Sequence, residues 1–330
     1  MKTGASKFEY YIQNFETLLD KASKQKNPAL FLYRNNARTS IFMLEGLCKL
    51  YAGLHNRKKF EKLKMHFKLL EDGLGIIDYY DAFAKEFTAN KKIPRTITAY
   101  LQAQLREKLQ HFNELLTEKG WINADHTRIK KIRAKLNKVD WQNEKEEVAD
   151  MLQFYEESIQ IIKDFVAEKG AGFTNIETDL HELRRKLRWL SIYPQAIRGS
   201  IQLTNSKAPT KSLQKYLTSE IIHSPYNKMP DAANNRHFLL LEQKYFYSLS
   251  WMIASLGNLK DAGLRVIAIK EAIQISSSIS DEMAYKKAYQ LAGKKQADLP
   301  SILKDAGKII TQYFKEANLN KLIAGTAAVL

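Results

Sequence analysis

The chain has 330 residues, with 52 Lys and Arg against 36 Asp and Glu, a formal charge of +16. Its 45% apolar and 11% aromatic content is enough to bury a sizeable core, which excludes wholesale disorder. One cysteine, Cys48, excludes a disulfide framework and any Cys-based zinc site.

With only 14 Gly and 7 Pro, helix breakers are scarce and an all-α chain is expected. Its length suggests two domains, or one of doubled construction. No apolar leader follows Met1, and the apolar tail 322–330 is far too short for a membrane span, so a cytoplasmic protein is expected. The excess of basic residues points to a polyanion as partner: nucleic acid, an acidic membrane surface or a phosphate polymer.

Phe8, Tyr11, Phe15 and Leu18 predict a first helix, and Ala37, Ile41, Leu44, Cys48 and Tyr51 a second. Phe60, Leu63, Phe67, Leu70, Leu74 and Ile77 alternate steps of three and four, the seam of a bundle helix. Pro94 suits the start of a fourth helix reaching about Lys119. Helices over about 125–139 and 143–168 follow.

Gly170 and Gly172 make the best mid-chain break, and Thr174 with Glu177 reads as a capping box for the next helix. This divides the chain into halves 1–169 and 170–330. Residues 199–235, rich in Ser, Thr, Asn and Pro, read as a partly irregular insertion with one helix at 210–222. A long helix is predicted from about Asn234 to Gln274, then two more at about 280–295 and 299–318. No strand or hairpin signal is visible.

The halves resemble each other. NNARTSIFML (35–44) aligns with HELRRKLRWL (181–190), placing Arg38 with Arg184, Ile41 with Leu187 and Leu44 with Leu190. A Leu-Gly pair follows in each half (Leu74-Gly75, Leu256-Gly257) with an Asp soon after (Asp78, Asp261). The expected architecture is therefore two pseudo-symmetric antiparallel helical bundles from an internal duplication.

The sharpest candidate site is the helix over 180–190. Leu180, Leu183, Leu187 and Leu190 share one face, while His181, Arg184, Arg185 and Arg188 gather on another. Arg184 and Arg188 are separated by one turn, a rise of ~6 Å, so both guanidinium forks can meet successive groups of an extended polyanion. Arg57, Lys58, Lys59, Lys62, Lys64 and Lys68 decorate the helix with the clean seam. Arg128, Lys131, Lys135 and Lys138 form a stripe opposite Ile129, Ile132, Leu136 and Val139. These two runs are the weaker candidates, each read by default as a solvated face.

Catalytic patterns are missing. His181-Glu182 lacks the second histidine of a zincin, no phosphate-binding loop of the G-x-x-x-x-G-K-[ST] form occurs, and the seven histidines are dispersed. Cys48 and the four tryptophans sit at core spacings. No enzyme, metal site or cofactor is expected.

At these residues the chain resembles the CHAD family, the conserved histidine α-helical domain. Its basic helix pattern matches His181-x-x-Arg184-x-x-x-Arg188-Trp189-Leu190, with Trp189 replacing a basic residue. Its second pattern, L-G-x-x-R-D, matches Leu256-Gly257-Asn-Leu-Lys260-Asp261 with lysine for arginine. The first half is eroded: Asn35 stands for the histidine, Arg38 is retained, Phe42 replaces the next arginine, and Asp78 stands where a basic residue should be. The resemblance implies two four-helix bundles enclosing a basic cavity that binds inorganic polyphosphate without chemistry. It implies phosphate contacts from Arg38, His181, Arg184, Arg185 and Arg188, with Arg34, Lys64 and Lys68 compensating for the lost positions. The competing readings are an RNA-binding helical protein and a helical scaffold for protein partners.

Overall fold

The computed structural model describes residues 3–123, 125–170, 172–204, 210–232, 234–293 and 298–328. The helices are α1 (Thr3–Ala22), α2 (Pro28–Arg34), α3 (Ala37–Leu54), α4 (Arg57–Ala89), α5 (Arg95–Glu118), α6 (Thr127–Leu136), α7 (Glu144–Lys169), α8 (Glu182–Ala196), α9 (Ser219–Ile222), α10 (Gln243–Ser276), α11 (Asp281–Ala292) and α12 (Leu299–Lys315). Three short strands, β1 (Ile201–Leu203), β2 (His237–Leu241) and β3 (Ile323–Ala328), complete a mostly all-α fold. Among the described residues no helix is long and apolar enough to cross a membrane.

The chain divides into two compact units, one of Met1–Trp141 with Ile267–Gly293, the other of Gln142–Val266 with Lys294–Leu330. The break at Gly170 does end α7, with Gly170 at φ 33°. It nevertheless lies inside the second unit, where Tyr155 of α7 donates its hydroxyl proton to Leu190 O of α8 at 2.9 Å. A glycine break marks where a helix stops, whereas packing decides which helices belong together.

In the first unit the seam of α4 is fully buried, all six apolar positions from Phe60 to Ile77 being inaccessible. Each such side chain contributes roughly 1.5–3 kcal/mol when removed from water. Phe8, Tyr51, Phe60 and Trp141 form one aromatic cluster, with Tyr51 and Trp141 edge to face at 5.2 Å. Asn27 and Asn56 cap α2 and α4 by accepting from the amides of Leu30 and Lys59. On α6, Arg133 clamps α1, its guanidinium reaching Glu9 at 2.6 Å and Glu16 at 2.7 Å.

The second unit holds the sheet, in the order β1-β2-β3, with β1 parallel to β2 and β2 antiparallel to β3. These strands overturn the expectation of a strandless chain. His237–Leu241 is an apolar run too short to distinguish helix from strand by its spacing, so the helix expected from Asn234 begins only at Gln243. The helix expected at 210–222 is a 3-10 turn at Gln214–Tyr216 followed by the single turn of α9.

The capping box is corrected too. Asn175, not Thr174, accepts from the amides of Glu177 and Thr178. Asp179 then folds back to accept from the amides of Thr174 and Asn175 and the ammonium of Lys169. Burial opposes its ionisation, but these donors prevail and hold it at about 2. The turn Ile176–His181 that they stabilise is wider than an α-helix, and it feeds α8.

Candidate anion-binding site

The eight expected phosphate contacts fall four to each unit: Arg34, Arg38, Lys64 and Lys68 in the first, His181, Arg184, Arg185 and Arg188 in the second.

In the second unit, the wide turn and α8 present His181, Arg184, Arg185, Lys186 and Arg188, while Leu183, Leu187 and Leu190 are fully buried beneath them. The two segments of the sequence pattern meet here. Arg184 Nε donates to Ile253 O of α10 at 3.2 Å. A Cβ on Gly257 would stand 3.0 Å from that same Nε and 3.3 Å from Nη2. The glycine therefore lets the guanidinium lie against the α10 backbone.

The α8 face is less purely basic than its sequence suggests. His181 Nδ1 lies 2.8 Å from Glu177 Oε2, and this contact, joined by the charge of Lys260, lowers the Glu177 pKa. Glu182 pairs with Arg185 at 2.6 Å and Lys186 at 3.4 Å, and Lys260 pairs with Asp261 at 2.9 Å. Glu177 stands four residues before His181, a spacing that the sequence could have disclosed.

In the first unit, Arg38 of α3 likewise lies against the glycine of the Leu74-Gly75 pair on α4. A Cβ on Gly75 would lie 3.0 Å from Arg38 Nη2. Here, however, acids surround the guanidinium. Glu71 Oε1 accepts from Nη2 at 2.7 Å and Nε at 2.9 Å, and Asp78 Oδ2 accepts from Nη1 at 3.3 Å. Tyr33 donates to Asp81 at 2.7 Å and Asp78 at 3.2 Å; burial and these carboxylates push its pKa well up.

Lys64 pairs with Glu61, and Lys68 with both oxygens of Asp72 at 2.6 Å. Arg34 is exposed at the end of α2 and makes no salt bridge among the described residues. Beside this network Glu45 is buried, and burial together with the neighbouring Glu71 pushes its pKa up to about 7. The pairing of Arg38 with Glu71 and Asp78 escapes sequence reasoning because they lie 33 and 40 residues from it.

Among the described residues no group of three or more His, Cys, Asp or Glu side chains is placed to hold a metal ion. In comparisons with known proteins, no family model matches the chain and no curated protein is significantly similar to it.

Proposed function

We propose that this protein binds inorganic polyphosphate, or a linear polyanion like it, without catalysis, through a CHAD-like arrangement centred on α8. The observation that carries the reading is the repeated contact of arginine with glycine. In each unit the arginine of the basic helix lies on the glycine of a Leu-Gly pair, Arg38 on Gly75 and Arg184 on Gly257. The same pairing supports descent of the two halves from one duplicated segment.

A guanidinium held from its Nε edge has its planar fork oriented before ligand arrives, which lowers the ordering cost of binding. The acids on α8 do not oppose this reading strongly. Arg185 is half exposed in its pair with Glu182, and such pairs contribute little to stability, so a polyvalent anion can displace them. In the first unit Arg38 is engaged by Glu71 and Asp78, and Asp72, Asp78 and Asp81 add negative charge that repels phosphate, while α8 and the turn before it present five basic side chains. We therefore assign the principal binding role to the second unit.

Binding of polyphosphate should weaken steeply as salt rises, because the phosphate chain releases counterions when Lys and Arg replace them. Arg184→Glu with Arg188→Glu should lower affinity by about 100-fold, at roughly tenfold for each lost charge-assisted contact. Arg184→Gln with Arg188→Gln provides a milder pair if the reversal disturbs folding. A folded variant that binds as well as the parent would refute the assignment to α8. RNA of equal charge is the competitor that separates the readings, since tighter binding of RNA would favour a nucleic-acid ligand.

A further inference from the structure

The first unit carries a second cationic surface, on one side of α6 and the start of α4, whose side chains, unlike Arg185 on α8, make no salt bridge among the described residues. Arg128, Lys131 and Lys135 lie along one side of α6, next to the side that buries Ile129, Ile132 and Leu136. Their rise from first to last is roughly 10 Å. Lys59 of α4 reaches the end of α6, donating from Nζ to Lys138 O at 3.0 Å, so the two helices adjoin there. Lys62 and His66 follow Lys59 on the same side of α4, at steps of three and four residues, Lys62 exposed and His66 half-buried.

The acids near α6 are engaged at its other edges. Asp125 takes Lys130 at 3.0 Å, and Glu9 and Glu16 take Arg133. Among the described residues Lys62, Arg128, Lys131 and Lys135 make no salt bridge; the Arg128 side chain donates from Nε to Lys119 O at 2.8 Å. Like charges crowded together without counter-charge cost stability, which an arriving anion would return. The crowding registers on the enclosed imidazole: burial, then the charges of Arg128 and Lys135, lower the His66 pKa.

From this juxtaposition we infer that Arg128, Lys131 and Lys135 of α6, with Lys62 and His66 of α4, form a second binding surface for inorganic polyphosphate. The inference rests on the polyphosphate reading for its ligand and adds a site that the CHAD-like pattern does not include. A chain of linked phosphates fits better than nucleic acid. None of these five residues is Phe, Tyr or Trp, and the one ring among them, His66, is half-buried, so the surface offers charge along a line and no row of rings for successive bases.

The probe is tripolyphosphate, followed by NMR of the His66 imidazole alongside calorimetric titration; Lys131→Glu with Lys135→Glu is the test variant, and Lys131→Gln with Lys135→Gln is a gentler control for folding. In the parent and in the Arg184→Glu, Arg188→Glu variant, tripolyphosphate should shift the His66 resonances and raise the His66 pKa. In the α6 variant the response should weaken by about 100-fold, at roughly tenfold for each lost contact. A parent that binds tripolyphosphate with His66 unmoved overturns this surface and leaves the α8 reading standing. Movement of His66, with total binding unaffected by the α8 substitutions, supports this surface and removes α8 as a site. No binding at all overturns both. Displacement of tripolyphosphate from His66 by RNA of equal charge, at lower concentration, overturns the choice of polyphosphate.

Discussion

Glu45→Gln should make the protein more stable, by a margin that grows as pH rises from 4.5 and levels off above about 7. Glu45 lies on α3 at 7% exposure, near Glu71, and its pKa is raised from 4.5 to about 7 by burial first and that carboxylate second. At about 1.4 kcal/mol for each tenfold change in proton affinity, holding the ionised form in the folded state costs about 3 kcal/mol. The sign follows from the direction. Relative to the ionised reference, the gain from neutral Glu45 is fully present below pH 4.5 and lost as pH rises through about 7. Glutamine keeps the shape without the charge, so the variant escapes that loss. At about 2–4 °C per kcal/mol for a body of this size, its melting temperature should exceed the parent's by roughly 6–12 °C at pH 8.

The two should converge toward pH 4.5. Thermal unfolding followed by circular dichroism at pH 5, 6, 7 and 8 measures the difference. His126 and Glu271, whose pKa values are also raised, titrate in both proteins and cancel from it. A gap between the two melting temperatures that stays constant with pH would refute the reasoning.

Two glycines on α4 should respond oppositely to the same change. A Cβ on Gly73 would lie 2.5 Å from Cδ2 of the buried ring of Phe112, so Gly73→Ala should cost about 1–2 kcal/mol after the ~1 kcal/mol gained in helix propensity. At Gly75 the nearest atom is the tip of Arg38, which can withdraw, so Gly75→Ala should be neutral or stabilising by up to about 1 kcal/mol. Urea denaturation of both variants decides, and the reverse order would count against the packing described for α4. Arg133→Ala should cost about 1–2 kcal/mol at low salt by leaving Glu9 and Glu16 without their cation, and less at high salt. Equal stability of parent and variant at low salt would show that the clamp contributes nothing.

Legibility followed the length of each pattern. The α4 seam could be read residue by residue, because six apolar positions at helical spacing leave one solution, and the cap of α4 follows from Asn56 directly before it. The strands could not. Ile323–Ala328 reads IAGTAA, with none of the aromatic residues and only two of the β-branched residues, Ile323 and Thr326, that mark a strand, and it forms because β2 offers it an edge. At the candidate site, the basic residues were visible and their partners were not. His181 with Glu177 is a local pair that helical spacing exposes. Arg38 with Glu71 depends on α3 and α4 folding against each other, which no window of sequence contains. The contrast between the engaged α8 face and the unpaired stripe on α6 is likewise tertiary, since it depends on where Glu9 and Glu16 of α1 point.

The division into units also sets the order in which a nascent chain can mature. The first unit requires Ile267–Gly293, which emerge only after the 125 residues Gln142–Val266 of the second have been made. At about 5–20 residues per second, residues 1–141 wait roughly 6–25 s for that closing segment. Until then Tyr80 and Tyr100, whose hydroxyls lie near Glu271 in the finished protein, lack that neighbour. The second unit is delayed in turn, because β2 gains its antiparallel partner only when residues 323–328 have left the ribosome. Both units are therefore exposed to the cell's chaperones and proteases as incomplete bodies during synthesis.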